Sequence, residues 1–253
     1  MKVAKIIEIL EENFPKNLAY EWDNVGLLAG NAESDVSTVL VTLDITPGVV
    51  KEAIECGAEM IISHHPLVFE GVKNFTEDNA KTKMYAQIIR NNLTVYCAHT
   101  NLDCAPNGLN QRLAEVLGLS DIKVLDEKTG LGRYGKVEKT TASEFAKRVA
   151  DILNTPFVKF SGDPEKEIST VAVGSGACGD EYPTALSCGA DIFVTADVKY
   201  HIAIEAVDEG LAVIDAGHYP TEIIAMENFS EILADTGLTI KKSKNDDIFS
   251  CIS

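Results

Sequence analysis

The sequence predicts an α/β protein made of two related subdomains, and three observations lead to this prediction. Short apolar, β-branched segments alternate with helical patterns along most of the chain. Part of the second half repeats part of the first. All five histidines follow the end of a strand-like segment. Because ligands of open α/β sheets bind beyond the carboxyl ends of the strands, we expect the histidines to share one cleft.

Composition limits the classes of protein that the chain can belong to. Its 253 residues, 45% of them hydrophobic, suffice for one large domain or two ordinary ones. No apolar run approaches the roughly 18–20 residues of a membrane span, and the N-terminal MKVAKIIEILEENF predicts an amphipathic helix and no secretory signal. We therefore expect a cytoplasmic protein without a membrane partner. A net charge of −17 without basic clusters disfavours nucleic acid as a partner.

The first half shows a regular alternation of elements. After the N-terminal helix, residues 21–31 predict a loop with a short strand, and STVLVTLD predicts a strand. Pro47 and Gly57 suit the first turn and the end of the next helix. The following elements are strand MIIS, a polar loop through residue 78, helix 81–91, strand LTVYCA, the turn-rich HTNLDCAPNG and helix 109–117. Strands separated by helices in this way indicate a parallel sheet.

The pattern weakens between residues 121 and 139, where glycines and charges dominate. We place a domain boundary there, near residue 125. The first subdomain is predicted to span 1–125 and to be completed by about 215–253, and the second to span 126–214.

An internal repeat supports two related subdomains. With an offset of 132, residues 37–65 align without a gap on residues 169–197, and eight of the 29 pairs are identical. HTNLD also resembles HYPTE, since each has a histidine followed by a carboxylate four residues later. Unrelated β–α–β segments can reach this similarity, so the duplication is a hypothesis. If it holds, the cleft lies between the two subdomains.

Five residues are candidate metal ligands. His64 and His65 end one strand, and in an extended chain their side chains would diverge and serve two ions. His218 and Glu222, with Pro220 suited to a first helical turn, would lie on one helix face, and Asp103 adds a second carboxylate. Three imidazoles and two carboxylates favour Zn, Fe, Mn or Ni over Ca, and two adjacent ions would suit hydrolysis.

Other interpretations of these side chains remain open. His64 and His65 in a core would be two polar rings that need partners, whereas His218 and Glu222 could form a surface pair. A lone His99 could be a hydrogen-bonded core histidine. We interpret the carboxylates of Asp44 and Asp23 as capping or orienting groups.

The segment Gly174–Gly179 (GSGACG) fits the G-x-G-x-x-G pattern of dinucleotide-binding loops. Only residues 180–187 remain for the helix after it, which is shorter than that fold uses. We favour a loop whose backbone amides approach a phosphate or another anion, with nicotinamide or flavin binding as the weaker alternative.

Several motifs together resemble a known family. EWDNVGLL, TLDIT, ISHHPLVF, AHTNLD, VAVGSGACG, TADVKYH and DAGHYPTE occur in the order found in the NIF-three-like family, whose members are usually described as GTP cyclohydrolase 1 type 2 homologues. The chain is similar to the short form without an inserted domain. The resemblance implies two α/β subdomains, a dinuclear divalent-metal site and a toroidal homohexamer. The ligands it implies are His64, His65, Asp103, His218 and Glu222, with His99 and His201 lining the site and one of them acting as general acid or base.

Two functions follow from these expectations. The first is a dinuclear metal-dependent hydrolase, similar to GTP cyclohydrolase 1 type 2, acting on a nucleotide or another small phosphorylated molecule. The alternative is a non-enzymatic, metal-binding or regulatory ring protein. Both functions require bound metal, so metal content does not distinguish them. Turnover of a substrate does, because only the hydrolase predicts it.

Overall fold

The computed structural model describes residues 1–244 and 247–250, and the following strands and helices lie in this part of the chain. The end of the predicted C-terminal segment, residues 245–246 and 251–253, lies outside it. The strands are β1 Gly26–Ala29, β2 Thr38–Thr42, β3 Met60–Ser63, β4 Thr94–Cys97, β5 Ser120–Val124, β6 Arg133–Thr141, β7 Lys159–Ser161, β8 Glu167–Val173, β9 Ile192–Thr195, β10 Ala212–Asp215 and β11 Thr239–Lys242. The α-helices are α1 Val3–Asn13, α2 Pro47–Cys56, α3 Ala80–Arg90, α4 Thr100–Cys104, α5 Leu109–Val116, α6 Ala142–Ile152, α7 Tyr182–Ser187, α8 Tyr200–Asp208, α9 His218–Glu222 and α10 Ala225–Leu233.

The chain divides into two compact units. Among the described residues, the first comprises Met1–Leu102 and the segment from Ala225 to residue 244, and the second comprises Asp103–Ile224 and residues 247–250. The sequence instead suggests crossings near residues 125 and 215. The difference arises because α5 contributes Leu113 to the core of the second unit and β5 pairs with β6. The weak pattern after residue 120 is therefore a hairpin within the second unit.

The first unit contains a five-stranded sheet in the order β1-β4-β3-β2-β11. All neighbours are parallel except β1, which pairs antiparallel with β4. Helix α2 begins where the Thr46 side chain accepts a hydrogen bond from Val49 N, and it ends at Gly57 in the left-handed region. Apolar residues of α2 and α3 pack with β2, β3 and β4 in one buried core. This core holds the parallel strand ends in place.

The second unit contains a six-stranded sheet in the order β5-β6-β8-β9-β10-β7. Its central strands β8, β9 and β10 are parallel, whereas β5, β6 and β7 run antiparallel to their neighbours. Helix α6 begins with a capping box formed by Thr141 and Glu144, and buries Phe145 and Val149 against the sheet. The unit is thus also α/β.

The two units are related element by element. At the offset of 132, β2 corresponds to β8, and β3 corresponds to β9 over its whole length. The carboxylate of Glu59 accepts hydrogen bonds from the amides of residues 37 and 38, and that of Asp191 accepts them from the amides of residues 169 and 170. Each carboxylate lies directly before a strand, β3 or β9, and binds two successive amides of the neighbouring chain segment at positions that are also 132 residues apart. This shared detail supports an internal duplication.

None of the helices in residues 1–244 and 247–250 combines the length and the apolar character that crossing a membrane would require.

Candidate metal centre

Three histidines of the first unit converge at one edge of its sheet. Strands β3 and β4 are parallel neighbours in which Ser63 lies opposite Cys97, so the residues after them emerge side by side. The ring centroids of His64, His65 and His99 lie 5.0–5.5 Å apart, and one potential ligand atom from each lies within 4.8 Å of the others. Parallel pairing of β3 and β4 therefore brings His99 next to two histidines that precede it in the chain by 34 and 35 positions.

The two adjacent imidazoles do not diverge as an extended chain would make them. The centroids of His64 and His65 are 5.0 Å apart, with the ring planes at 41°. The reason is that β3 ends at Ser63 and the chain bends at the two histidines. The Ser63 hydroxyl stabilises this bend by donating to the carbonyl oxygen of His65 at 2.8 Å. Alternation of side chains holds only where the strand continues.

Each of these three imidazoles is oriented through its Nδ1 atom. His64 Nδ1 lies 3.0 Å from the Ala98 carbonyl oxygen, and His65 Nδ1 lies 2.7 Å from an Asp44 carboxylate oxygen. His99 Nδ1 lies 3.0 Å from both oxygens of Asp23. Metal-binding histidines are commonly oriented by such an acceptor on one ring nitrogen. Nε2 is then the nitrogen that would bind a metal ion or transfer a proton. Asp44 and Asp23 thus orient the imidazoles, as interpreted from the sequence.

The Asp23 carboxylate is fully enclosed and strongly hydrogen-bonded. Burial raises its pKa, but hydrogen bonds from His99 and from the hydroxyl and amide of Thr100 outweigh burial and lower the pKa to about 2. Asp23 is therefore ionised at neutral pH. An ionised acceptor favours the His99 tautomer that carries its proton on Nδ1.

The second unit carries a histidine–carboxylate pair on α9. His218 begins this short helix and Glu222 ends it, so the four-residue spacing brings Nε2 of the imidazole to 2.9 Å from a buried carboxylate oxygen. His218 Nδ1 lies 2.7 Å from an Asp197 carboxylate oxygen. This histidine is therefore oriented by an acidic residue in the same way as His65 and His99.

Gly176 makes room for the Glu222 carboxylate. A Cβ atom at position 176 would lie 2.0 Å from Oε1 of Glu222 and 3.2 Å from Nε2 of His218. The backbone at Gly176 also has a φ of +59°, which disfavours other residues, and its amide donates to the Thr221 hydroxyl at 3.1 Å. The glycine-rich loop thus borders the histidine–carboxylate pair.

Four of the six amides of this loop donate to protein acceptors. The donor–acceptor pairs are Gly174 N to Val194 O, Ser175 N to Asn110 Oδ1, Gly176 N to Thr221 Oγ1 and Cys178 N to Thr195 Oγ1. These four amides are committed to holding the loop in place. These four amides are therefore not available to bind a phosphate or a dinucleotide.

The two remaining predicted site residues lie outside these clusters. Asp103, nearly buried in α4, accepts a hydrogen bond from the Ser175 hydroxyl at 3.4 Å. His201 is exposed in the first turn of α8. Within the described residues, neither belongs to a group of three or more converging His, Cys, Asp or Glu side chains. Their roles stay predictions.

The donor atoms fit a first-row divalent metal. Imidazole nitrogens with a carboxylate oxygen suit Zn, Fe, Mn and Ni, and the acceptors on Nδ1 supply the orientation that such ligands need. Sequence reasoning identified the histidines from their positions after strands. It did not single out Asp197 as a site residue, because the contact of Asp197 with His218 forms only in the fold.

Two related α/β units that carry oriented histidines and a buried carboxylate define a class of duplicated α/β proteins with candidate metal-binding groups. The chain belongs to the Duf34/NIF3 (NGG1p interacting factor 3) family, whose sequence profile matches residues 1–247. It is 35% identical over 237 residues to a Clostridium perfringens protein named GTP cyclohydrolase 1 type 2 homolog, covering 91% of this chain and 90% of that protein.

Solved structures give the same relationship. A Bacillus cereus protein related to NIF3 has a TM-score of 0.93 at 25% identity and matches 100% of this chain and 99% of its own. Reduced HcgD from Methanocaldococcus jannaschii has a TM-score of 0.86 at 32% identity, covering 97% and 98% of the two chains. The fold and the family therefore agree with the resemblance noted in the sequence.

Proposed function

We propose that this protein is a dinuclear metal-dependent hydrolase that acts on a nucleotide or another small phosphorylated molecule. The proposed ligands of two divalent ions are His64, His65, Asp103, His218 and Glu222. The observation that carries the proposal is the shared orientation of the ligand histidines, each of which has an oxygen acceptor within 3.0 Å of Nδ1. The name of the Clostridium perfringens relative supports GTP-like chemistry.

The protein's own groups prepare the metal-binding imidazoles. The Asp44 and Asp197 carboxylates accept from Nδ1 of His65 and His218, which fixes the rings and makes Nε2 a stronger donor to a cation. Bound divalent ions would supply polarisation of a substrate oxygen and easier ionisation of water. Gly176 leaves the Glu222 carboxylate the space it needs.

His99 is the proposed general acid or base. Asp23 holds its Nδ1, so Nε2 is the atom that would take a proton from, or return one to, the reacting group. His201 is the second candidate from the sequence, and its exposed position on α8 provides no orienting contact among those described. We therefore assign the proton transfer to His99 first.

A non-enzymatic metal-binding or regulatory role is the second candidate. The occupied amides of the glycine-rich loop favour it, because a nucleotide hydrolase commonly uses backbone amides to hold phosphate. This alternative predicts tightly bound metal without turnover. For both candidates we propose a cytoplasmic homohexamer, which the family resemblance supports. Light scattering would detect a hexamer at about six times the chain mass of 27.3 kDa.

The first experiment measures metal content per chain by mass spectrometry on protein purified without a metal-affinity tag. We compare wild type, His65→Ala and, as a matched control, His201→Ala, which removes an exposed imidazole outside the converging groups. We expect about two ions per chain in wild type and in the control, and one or none in His65→Ala. No stoichiometric metal in wild type after reloading would refute the proposal.

Turnover of GTP and of simple phosphoesters is then assayed with the metal-loaded proteins. Hydrolysis that is lost in His99→Ala while its metal content is unchanged would support the hydrolase and the role of His99. Two bound ions in wild type without turnover of any tested substrate would favour the non-enzymatic alternative.

A further inference from the structure

Two exposed aromatic side chains converge on His99. Trp22 is 62% exposed and Phe69 is 53% exposed. Their ring centroids lie 6.1 Å and 5.6 Å from that of His99, with interplanar angles of 73° and 80°. Exposed apolar residues scattered singly over a surface need no explanation. Two large rings on one imidazole next to a candidate metal centre are not scattered.

The backbone around Trp22 is anchored on both sides. The Tyr20 amide donates to the Thr100 hydroxyl at 3.0 Å, and the Asp23 carboxylate accepts from His99 and from Thr100. The Tyr20 ring packs against the indole at 5.8 Å. Trp22 is thus held at the surface by fixed neighbours, which lowers the entropy cost of binding a ligand there.

The loop that carries Phe69 is joined to the loop that carries Trp22. The Asn24 side-chain amide donates to the Val68 carbonyl oxygen at 2.5 Å, one residue before Phe69. The Tyr85 hydroxyl donates to the Leu67 carbonyl oxygen at 3.0 Å and fixes the same loop from α3. Both rings therefore belong to one hydrogen-bonded arrangement within the first unit.

We propose that Trp22 and Phe69 bind the planar heteroaromatic ring of the substrate, a purine-like base, by stacking at the edge of the histidine cluster. This assignment rests on the hydrolase function proposed above and names the part of the substrate that the first unit recognises. Aromatic side chains are a common platform for bases, since every base has a π face. Because four of the six amides of the glycine-rich loop donate to protein acceptors, we expect the base to supply part of the binding affinity.

Intrinsic fluorescence tests the proposal directly, because Trp22 is the only tryptophan of the chain. We titrate guanosine, GTP and inorganic tripolyphosphate into metal-free and metal-loaded protein and correct for ligand absorbance. Stacking on the indole predicts saturable quenching by guanosine and by GTP in both forms. It predicts none by tripolyphosphate, which has no ring.

Two phenylalanine variants separate stacking from general surface effects. Phe69→Ala removes one ring from His99 and is expected to weaken guanosine binding about 5- to 150-fold. Phe75→Ala is the matched control, because Phe75 is 60% exposed in the same loop but contacts Tyr85, with centroids 6.5 Å apart. The control is expected to bind guanosine as wild type does. Both variants retain Trp22 as the reporter.

The proposal is overturned if no purine quenches Trp22 saturably, if tripolyphosphate quenches as GTP does, or if Phe69→Ala binds guanosine like Phe75→Ala. Its failure differs from failure of the proposed function. Metal-dependent hydrolysis without quenching would leave the hydrolase standing and remove the stacking site. Saturable quenching that Phe69→Ala weakens, in a protein without bound metal or turnover, would leave the stacking site standing and remove the hydrolase.

Discussion

Gly176→Ala should separate metal binding from folding stability. The added methyl group would lie 2.0 Å from Oε1 of Glu222, whereas real contacts of this kind stay above 3.0 Å. The Glu222 carboxylate must therefore shift by about 1 Å, and metal–ligand distances tolerate only about 0.2 Å. We expect metal affinity to fall about 10- to 100-fold, by analogy with the loss of a group that orients a ligand.

The loss of folding stability in Gly176→Ala should be modest, and a control variant can reproduce it. An alanine in the left-handed region costs about 1–2 kcal/mol, and the moved carboxylate is the end of a flexible side chain. Gly189→Ala is the control, because Gly189 has a φ of +73° and nothing within 4 Å of the added atom. Both variants should lower Tm by about 2–8 °C.

Competition with a chelator measures metal affinity, and calorimetry measures Tm, on the same preparations. The expected result is a similar Tm for Gly176→Ala and Gly189→Ala with a loss of metal affinity in Gly176→Ala alone. Equal metal affinity in the two variants would refute the reasoning, since the Glu222 carboxylate would then be no ligand.

Two further predictions concern stability. Asp23→Asn should destabilise the protein by about 2 kcal/mol near neutral pH, because the folded pKa of about 2 lies below the ordinary value of 3.8. That contribution is present above about pH 4 and is lost as the pH falls towards 2, so denaturant unfolding of wild type and variant should converge on acidification; a constant difference would contradict the assignment. Arg133→Lys should cost about 3 kcal/mol, because the buried guanidinium donates to the carbonyl oxygens of Ala105, Gly130 and Gly132 and a lysine cannot reach them all. Denaturant unfolding within about 0.5 kcal/mol of wild type would contradict this role.

The regular part of the fold was predictable because it depends on local pattern. Pro47 and Gly57 predicted the limits of α2, which runs from Pro47 to Cys56. The offset of 132 predicted that β3 has a counterpart in β9, and the matching hydrogen bonds of Glu59 and Asp191 agree. These features need only neighbours in sequence or one repeated segment.

The unit boundary was not predictable, because it depends on which core a segment joins. Residues 103–124 follow the first unit in sequence, yet α5 and β5 pack and pair in the second. A weak periodicity near residue 125 indicated a change in structure and not a change of unit.

For the candidate site, local patterns along the chain are enough to show which residue types follow the parallel strands, and therefore that His64, His65 and His99 lie at one sheet edge. How those rings are held depends on contacts between distant segments. His65 turns towards His64 because the chain bends after Ser63, and His99 meets Asp23 across 76 residues. The need for glycine at position 176 is apparent only from its short distance to the Glu222 carboxylate in the fold. Strand and helix patterns arise from short-range periodicity, whereas the contacts that orient a ligand join distant segments and depend on how the sheets pair.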